Sequence, residues 1–312
     1  MTQNAGDDGM RVTVTGATGL LGTRLVRALT RRGDEVTVLS RSPERARDAL
    51  DGVHALAWDP SAGPAPAEAL EGRDAVVHLA GENVAQRWSD DAKRRIRESR
   101  EQGTRHLVAG LAAAQQRPKA LVSSSAVGYY GPHGAEPLPE DTPPGQDFLA
   151  EVCVIWEREA QKAAEHGVRV VRVRTGVVLD KDGGALGKML PFFKAGIGGP
   201  VAGGGQHMPW IHADDVVGIF LQALDDDAWT GAVNATAPVP VTNRDFSKAL
   251  GRALHRPALA PVPAFAIKVL YGEMAEIVTK GQNAVPQRTR ELGYRHRHSD
   301  LDEALRSALR SD

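Results

Sequence analysis

Three glycines, at positions 16, 19 and 22, follow a short run of alternating apolar and polar residues and precede a helical pattern. Gly16 allows a sharp turn off a strand, Gly19 lets a pyrophosphate approach the backbone, and Gly22 lets the helix pack closely on the sheet. The helix, predicted from Leu20 to about Arg31, directs free N–H groups towards an anion. The order strand, glycines, helix predicts a dinucleotide site rather than an ordinary tight turn. Its residues are Gly16, Thr18, Gly19, Leu20, Leu21 and Gly22.

The end of the next predicted strand, Glu35 to Ser40, indicates which dinucleotide binds. A site for NAD usually has Asp or Glu about 20 residues beyond the glycines, where the carboxylate binds the ribose 2′-hydroxyl. Here the strand leads into Ser40-Arg41-Ser42, without an acid. Because the planar guanidinium of arginine can hold a 2′-phosphate, we predict NADP(H) as the cofactor, bound by Ser40 and Arg41. The alternative is an exposed arginine on a surface turn.

A run of hydroxyl-bearing residues, from Ser123 to Tyr130, begins where the fifth predicted strand ends. Side chains at the carboxyl ends of parallel strands lie at the rim where a nicotinamide would bind. Ser124 or Ser125 could hold a carbonyl oxygen there, and Tyr129 or Tyr130 could supply a proton. The alternative is that the tyrosines pack against substrate or have a structural role.

The elements that would position these residues alternate strand with helix. Apolar strands separated by amphipathic helices are typical of a parallel sheet with ligands at the carboxyl ends of its strands. We therefore predict an α/β fold, a Rossmann-like doubly wound parallel sheet with a smaller, mostly helical C-terminal substrate domain. The predicted strands are Arg11–Thr15, Glu35–Ser40, His54–Trp58, Ala75–Leu79, Lys119–Ser124, Val168–Arg174 and Ala232–Ala235, and the main helices after the first are Asp90–Gln115 and Asp214–Leu224.

A change of character beyond residue 179 predicts the domain boundaries. Residues 1–9 form a disordered tail, residues 10–179 bind NADP(H), and residues 207–241 return to that domain. Residues 180–206 and 242–312 form the smaller domain. The glycine-rich stretch Asp182 to Gln206 is typical of a lid or pocket wall. Phe192, Phe193 and Trp210 would line a substrate pocket there or form the core of the small domain itself.

Composition excludes several classes of protein. The chain has 312 residues and a formal charge of −1, which leaves no field for nucleic acid or an anionic membrane. The single cysteine, Cys153, excludes an internal disulfide and a multi-cysteine metal site, and it is typical of a reducing, cytoplasmic location. No apolar run is long enough to cross a bilayer. We expect a monomer or homodimer that acts on a small molecule.

The motifs together resemble a known family. The glycine turn, the Ser-Ser-Ser-Ala to Tyr-Gly run and Trp210-Ile211-His212-Ala213-Asp214-Asp215 are similar to extended short-chain dehydrogenases/reductases of the nucleotide-sugar epimerase type. More closely, the chain from Arg11 to Leu309 resembles an atypical branch, the bacterial epimerase-family oxidoreductases often mislabelled as cell-division inhibitors. The markers of this branch are His78–Asn83, Arg87-Trp88, Ser99-Arg100, Phe148–Cys153, Trp156-Glu157, Arg174–Leu179, Gly198–Pro200, Pro209–His212, Pro261–Pro263, Gly272-Glu273, and Pro286 to Gly293-Tyr294.

The resemblance implies further site residues. Leu79, Ala80 and Gly81 would lie beside the adenine ribose, Val178 beside the nicotinamide, and Ser123 at the rim. Arg95 and Arg100 would lie near the edge of the cofactor, although a solvated helix face is the alternative for this basic run. His212 with Asp214 and Asp215 looks like a metal site, but such residues usually join the lid to the last sheet helix in this superfamily. We therefore expect no metal, with Asp214 as the helix cap.

The chain departs from the family at the catalytic pair. Ordinary members carry Tyr-x-x-x-Lys on the fifth helix, where the tyrosine exchanges the proton and the lysine lowers its pKa and holds the nicotinamide ribose. The corresponding stretch, Phe148 to Cys153, has neither residue at that spacing. One interpretation is an NADP(H)-dependent oxidoreductase or epimerase that acts on a small carbonyl or nucleotide-sugar-like substrate with a substitute acid. The other is a non-catalytic NADP(H)-binding redox sensor or interaction protein.

Overall fold

A computed structural model describes residues 9–310 of the chain. Gly9 is therefore the one residue of the predicted N-terminal tail within the described range. In chain order the strands are β1 (Arg11–Thr15), β2 (Glu35–Ser40), β3 (Val53–Ala57), β4 (Ala75–His78), β5 (Ala120–Ala126), β6 (Pro137–Leu138), β7 (Arg169–Thr175), β8 (Val177–Leu179), β9 (His207–Met208), β10 (Trp210–His212), β11 (Gly231–Ala235), β12 (Val241–Thr242) and β13 (Asn283–Ala284).

Seven of these strands form the central sheet, in the spatial order β3-β2-β1-β4-β5-β7-β11. Every neighbouring pair is parallel. The carboxyl ends of β1, β4, β5 and β7 therefore meet at one edge of the sheet, and the strand order reverses between β1 and β4. The predicted Rossmann-like, doubly wound fold is confirmed, and this edge is where ligands bind in such sheets.

Helices cover both faces of the sheet because each has one apolar face to bury. The α-helices are α1 (Leu20–Arg32), α2 (Pro43–Ala49), α3 (Asp90–Ala113), α4 (Phe148–Gln161), α5 (Gly184–Lys194), α6 (Ala213–Asp225), α7 (Asn243–Leu254), α8 (Ala264–Tyr271), α9 (Ala275–Thr279), α10 (Gln287–Glu291) and α11 (Leu301–Arg310).

The two faces of the sheet have separate cores. On one face, α1 and α6 bury Leu25, Leu29 and Phe220 against the strands. On the other, α3 and α4 contribute Leu107 and Ala160 among others. Fully burying one such large aliphatic or aromatic side chain stabilises the fold by about 1.5–3 kcal/mol, so these two layers fix the strand ends that carry the site.

A third core holds the C-terminal helical part together. It combines Leu186, Leu190 and Phe193 of α5 with side chains of α7 and α11. Helix α5 lies inside the glycine-rich stretch that the sequence predicts as a lid, and it buries these residues even though Pro191 lies inside it. No helix among residues 9–310 is both long and apolar enough to cross a membrane.

Candidate functional site

The glycine turn lies between β1 and α1, at the edge where strand order reverses. Gly16 has φ +70°, and a Cβ there would lie 2.7 Å from the backbone nitrogen of Ala80. A Cβ on Gly22 would lie 2.2 Å from the carbonyl oxygen of Gly16, so the first turn of α1 packs directly on this loop. Gly19 caps α1 without a side-chain hydrogen bond, and no acidic residue lies in the first turn. The N–H groups and the positive end of the helix dipole are free for an anion.

A cleft of about 550 Å³ runs from this loop to the end of β2. The predicted residues Ser40 and Arg41 lie at its far end, together with Arg45 from α2. No acidic side chain is among the described residues of its wall. The cleft is lined by Gly16, Ala17, Thr18, Gly19, Val38, Leu39, Ser40, Arg41, Ser42, Arg45, Ala49, Trp58, Pro60, Leu79, Ala80 and Gly81.

Arg45 was not predicted from the sequence. It is the third residue of α2, which begins with Pro43 directly after Ser42. A helix that starts immediately beyond the strand end turns its first residues back towards the cleft, and the Ser-Pro pair at positions 42 and 43 is the signal that could have located it.

The segment after β4 forms the adjoining wall of the cleft. The backbone N–H of Ala80 donates to the Thr15 hydroxyl over 3.2 Å. His78 is fully buried between two threonine hydroxyls, with Nδ1 2.7 Å from Thr15 Oγ1 and Nε2 3.0 Å from Thr104 Oγ1. Burial and the nearby Arg100 charge lower the pKa of His78 to about 4. A neutral imidazole thus joins β1, β4 and α3 beneath the residues predicted to contact the cofactor.

A second cavity, of about 430 Å³, begins at the ends of β5 and β7. Its floor includes Ala126, Thr175 and Gly176. We call it the apolar pocket because aromatic and aliphatic side chains dominate its wall, and α4 presents one helical stripe to it. These wall residues are Val84, Trp88, Phe148, Leu149, Val152, Trp156, Val177, Met189, Met208, Ile277 and Val278.

Arg100, from α3, lies where the cleft and the apolar pocket meet. It lines the pocket, and a Cβ on Gly81 of the cleft would lie 3.2 Å from its guanidinium carbon. One guanidinium nitrogen donates to the carbonyl oxygens of Glu82 and Ile96, and the group lies 4.9 Å from the centroid of the Trp156 ring. No carboxylate within 4 Å pairs with it among the described residues, so this inward-facing cation is available to a ligand.

The floor of the apolar pocket has no tyrosine or lysine. Cys153 occupies the stripe of α4 where the usual pair would be expected, and burial raises the pKa of its thiol to about 12. The hydroxyl of Thr175 is the other protic group there, and it donates to its neighbour's carbonyl oxygen, Val173 O, over 3.5 Å. The described residues of this floor therefore offer a thiol and a hydroxyl as protic groups.

Two of the predicted catalytic residues lie inside a buried network instead. Ser125 donates to Glu157 Oε1 over 2.7 Å, and Arg174 binds both oxygens of that carboxylate at 2.8 and 2.9 Å. The Tyr130 hydroxyl donates to Asn234 Oδ1 over 2.8 Å and accepts from Arg174 over 3.0 Å. Burial raises the pKa of Tyr130 to about 12. These contacts argue against catalysis by Ser125 or Tyr130 and favour a structural role, because they tie β5, β7 and β11 to α4.

The remaining predicted hydroxyls also lie away from the apolar pocket. Tyr129 packs under the Arg174 guanidinium, 3.4 Å from ring centroid to carbon, beside a shallow surface depression. Ser123 is buried and Ser124 half-buried, and neither is among the residues that line the cleft or the pocket. Ser125 and Ala126 face opposite sides of the sheet, because successive residues of a strand do so. Ala126 therefore lines the pocket, whereas Ser125 belongs to the buried network.

The predicted substrate aromatics belong to the small C-terminal core. Phe193 and Trp210 are 5% and 1% exposed within that core, and the Trp210 indole donates to the Val239 carbonyl over 3.2 Å. Phe192 is 48% exposed, outside the apolar pocket. Of the two alternatives drawn from the sequence, this placement favours the core. The aromatic wall of the pocket comes instead from Trp88, Phe148 and Trp156, which carried family resemblance but no predicted contact role.

Four further predicted contacts lie at the margin of the cleft. Leu20 lines an adjoining groove with Arg24, whereas Leu21 and Val178 pack against the sheet core. Arg95 is half-exposed and pairs with Asp91 and, at 3.9 Å, with Glu82. These positions place the four side chains around the ligand-binding edge and not in the wall of the cleft.

The cap of α6 differs from the prediction. His212 Nδ1 accepts from the backbone N–H of Asp214 over 3.1 Å, so the histidine caps the helix and Asp214 does not. His212, Asp214 and His298 lie close enough to share a cation, but the two imidazoles stack with centroids 3.8 Å apart and a 32° tilt. Because imidazole lone pairs lie in the ring planes, stacked rings direct them poorly to one ion, and we assign no metal.

Comparisons with known proteins agree with this geometry. Residues 12–235 match the model of the NAD dependent epimerase/dehydratase family, and residues 262–308 match a domain of unknown function, DUF1731. The chain is 42% identical to the Arabidopsis thaliana epimerase family protein SDR39U1 homolog, chloroplastic, over 96% of this chain and 87% of that protein. It is 38% identical to the Homo sapiens epimerase family protein SDR39U1, over 96% of this chain and all of the human protein.

Solved structures show the same relationship. A crystal structure of human SDR39U1 (isoform 2) with NADPH superposes with a TM-score of 0.86 at 36% identity, covering 97% of this chain and 100% of that chain. A UDP-glucuronic acid 4-epimerase from Bacillus cereus in complex with NAD is 16% identical, with a TM-score of 0.77 over 96% of this chain and 95% of that one. The second similarity concerns the fold alone.

Proposed function

The chain belongs to the NAD-dependent epimerase/dehydratase family of extended short-chain dehydrogenases/reductases, and from that premise we propose that it binds NADP(H) and uses it to oxidise or reduce a small carbonyl compound. One observation carries the proposal. The cleft that begins at the glycine turn and ends at Arg41 and Arg45 adjoins, at Arg100, a pocket on the ends of β5 and β7. This layout fits a phosphorylated dinucleotide, whose phosphates would lie in the cleft and whose nicotinamide ring would reach the pocket.

The residues present fit NADP(H) at both ends of the cleft. The uncapped N-terminus of α1 suits the pyrophosphate, and the close approach of backbone at Gly16 and Gly19 leaves room for it. Arg41 and Arg45 offer two guanidinium groups to a 2′-phosphate, with no carboxylate in the wall to hold a free 2′-hydroxyl instead. NADPH in the human relative supports the same choice.

Arg100 takes the place of the family's lysine in this proposal. It comes from α3 instead of α4, and Trp156 and Gly81 fix it at the junction of cleft and pocket. A guanidinium there can donate to the ribose hydroxyls next to the nicotinamide. When bound, NADPH would supply a hydride to carbon, and the oxygen of the carbonyl group would take one proton from the medium.

Cofactor choice is tested by calorimetric titration of the purified chain with NADPH and with NADH. We expect NADPH to bind at least about tenfold more tightly, since charge-assisted hydrogen bonds to a phosphate contribute about 1.5–3 kcal/mol each. Arg41→Ala and Arg45→Ala should each weaken NADPH binding and leave NADH binding unchanged. Arg94→Ala is the matched control, because Arg94 is exposed and bonds only to Asp91 and Glu98 among the described residues. Equal affinity of the unaltered chain for both dinucleotides would contradict the proposal.

The missing Tyr-x-x-x-Lys pair favours one alternative, a protein that binds NADP(H) without turning it over, as a redox sensor. Both functions need the same cleft, so cofactor affinity does not separate them. Transfer of hydrogen from the cofactor to a carbonyl compound does, because a sensor leaves the cofactor unchanged.

A further inference from the structure

We propose that the apolar pocket binds a planar, apolar, conjugated carbonyl compound, either an open-chain or a cyclic enone, and that it does not bind a nucleotide sugar. The inference rests on the proposed function, because it names the substrate class for the same site. Three features of the pocket carry it: the composition of its wall, the pairing of its charges, and the chemistry of its floor.

The wall of the pocket suits a flat apolar molecule. Trp88 and Phe148 meet edge to face with ring centroids 5.1 Å apart, and Trp156 and Met189 add further flat or flexible apolar surface. Aromatic rings pack well against conjugated systems in such offset or edge-to-face arrangements. The sugar and ribose hydroxyls of a nucleotide sugar would lose their water here and find few partners, which costs free energy for every unpaired group.

The charges around the pocket do not suit a diphosphate. Its described cations are Arg100 and Lys280, and Lys280 Nζ lies 2.9 Å from a carboxylate oxygen of Glu276. Asp147 and Glu273 also line the pocket; Glu273 is paired with Lys93, and the Asp147 carboxylate would repel a second anion. A nucleotide sugar needs cations or helix N-termini for its two phosphates, and α4 already directs its N-terminal N–H at the Asp147 side chain.

The floor of the pocket favours a conjugated carbonyl compound over an isolated ketone. Among the described residues of the pocket floor, the protic side chains are the thiol of Cys153, whose pKa burial raises, and the hydroxyl of Thr175. His207 lines the pocket from another wall, beside Gly281. No group on the floor is a ready acid for a strongly basic alkoxide. An enolate is a much weaker base, because its charge is delocalised.

The balance of such a reduction is simple. The β-carbon of the enone gains the hydrogen and two electrons that NADPH supplies, the displaced electron pair rests on the carbonyl oxygen, and water supplies one proton. NADP⁺ is the oxidised product. The chain's own residues then need to bind and orient the flat substrate, exclude bulk water and, at Arg100, hold the cofactor end of the site.

The binding claim is tested without cofactor turnover. Trp88 and Trp156 line the pocket, so benzylideneacetone should quench tryptophan fluorescence in a saturable way, and UDP-glucose at the same concentrations should not. Absence of saturable quenching by benzylideneacetone, or saturable binding of UDP-glucose that benzylideneacetone displaces, would overturn the inference. Absence of NADPH binding in a parallel titration would instead overturn the proposed function, so the two failures are distinguishable.

A pair of substitutions on one helix locates the binding site. Met189→Asp puts a carboxylate into the apolar wall and should weaken benzylideneacetone binding at least about tenfold, since an unpaired charge there must be desolvated. Phe192→Asp is the matched control, because it makes the same change three residues along α5 at a side chain that is 48% exposed. Equal effects of the two would contradict the assignment.

The preference for a conjugated substrate over an isolated ketone is tested in the NADPH-loaded protein. Loss of absorbance at 340 nm should be faster with benzylideneacetone than with its saturated analogue 4-phenylbutan-2-one. A faster reaction of the saturated ketone would overturn the part of the inference that rests on the floor of the pocket.

Discussion

Single residues decide how this chain differs from its family, and Arg100 is the clearest case. Its guanidinium lies over Trp156 and against Gly81, and no carboxylate among residues 9–310 pairs with it. The sequence resemblance implied a position near the cofactor edge, and in the structure Arg100 is a cation at the junction of the cleft and the apolar pocket. In the sequence it is one of five basic residues between positions 93 and 100, and only the fold separates it from its exposed neighbours.

Removal of the Arg100 charge tests its role. Arg100→Gln should raise the dissociation constant of NADPH about tenfold, because a charge-assisted hydrogen bond contributes about 1.5–3 kcal/mol. The mobility of the nicotinamide end should also increase, and the fluorescence anisotropy of bound NADPH reports it. Arg94→Gln on the same helix is the control. If the anisotropy of bound NADPH stayed unchanged in Arg100→Gln, the residue would not hold the nicotinamide end.

His78 makes stability depend on pH. Its folded pKa, about 4, lies below the ordinary value of 6.5, so between these values the unfolded chain binds more protons than the folded one. Stability should therefore fall as pH decreases from about 6.5 to 4, by up to about 3 kcal/mol from this residue. His78→Gln should be less stable at pH 7, since two threonine bonds are disturbed, yet lose less stability on acidification. Urea unfolding at several pH values measures this, and parallel curves for the two proteins would refute it.

The contacts of single residues also show what the sequence does not reveal. The position of Arg41 in the cleft wall was predictable because it depends on a local strand end. The network around Ser125 and Tyr130 was not predictable, because their partners, Glu157 and Asn234, lie 32 and 104 residues further along the chain. Hydroxyl-bearing residues at the rim of a strand are equally compatible with a buried network, and only the partners distinguish the two.

At the scale of elements, the glycine turn joins strand β1 to helix α1 at the proposed cofactor site. Gly22→Ala would put a Cβ 2.2 Å from the Gly16 carbonyl oxygen and 2.7 Å from the Ala17 Cα, and neither backbone atom can move freely. We expect a loss of about 1–3 kcal/mol of stability from overpacking, together with weaker NADPH binding. Chemical denaturation and the NADPH titration measure the two effects. Gly63→Ala, with no atom within 4 Å of the added Cβ, is the control, and equal behaviour of both variants would contradict this account of the turn.

Most elements were predictable because their patterns are local. Strands β1 and β2 match their predicted ranges, and the bounds of the other five central-sheet strands differ from the prediction by at most two positions, whereas the six short strands outside that sheet within residues 9–310 were not predicted. Helix α5 was not predicted, because glycines and Pro191 dominate its segment. Tertiary packing overrides this local preference, since Leu186, Leu190 and Phe193 of α5 are buried together in the small core.

At the scale of the whole molecule, the apolar pocket is assembled from distant parts of the chain. Its wall combines residues near 84–100, the stripe of α4, α5 and the segment from 273 to 282. No single stretch of the sequence contains all the residues of this wall. The residues predicted to bind substrate therefore came from one aromatic-rich stretch. Part of the C-terminal region, from 273 to 282, lines this pocket beside the strand ends, where the proposed function places the substrate.

The central claim, that this assembly transfers hydrogen between NADP(H) and a carbonyl compound, is tested most directly by isotope transfer. The protein is loaded with NADPH that carries two deuterium atoms at C4 of the nicotinamide and is then given a panel of enones and aromatic aldehydes, with the products analysed by mass spectrometry. The account predicts a product with deuterium bound to carbon and stoichiometric NADP⁺. Bound NADPH that keeps its deuterium with every member of the panel would contradict it and favour the sensor.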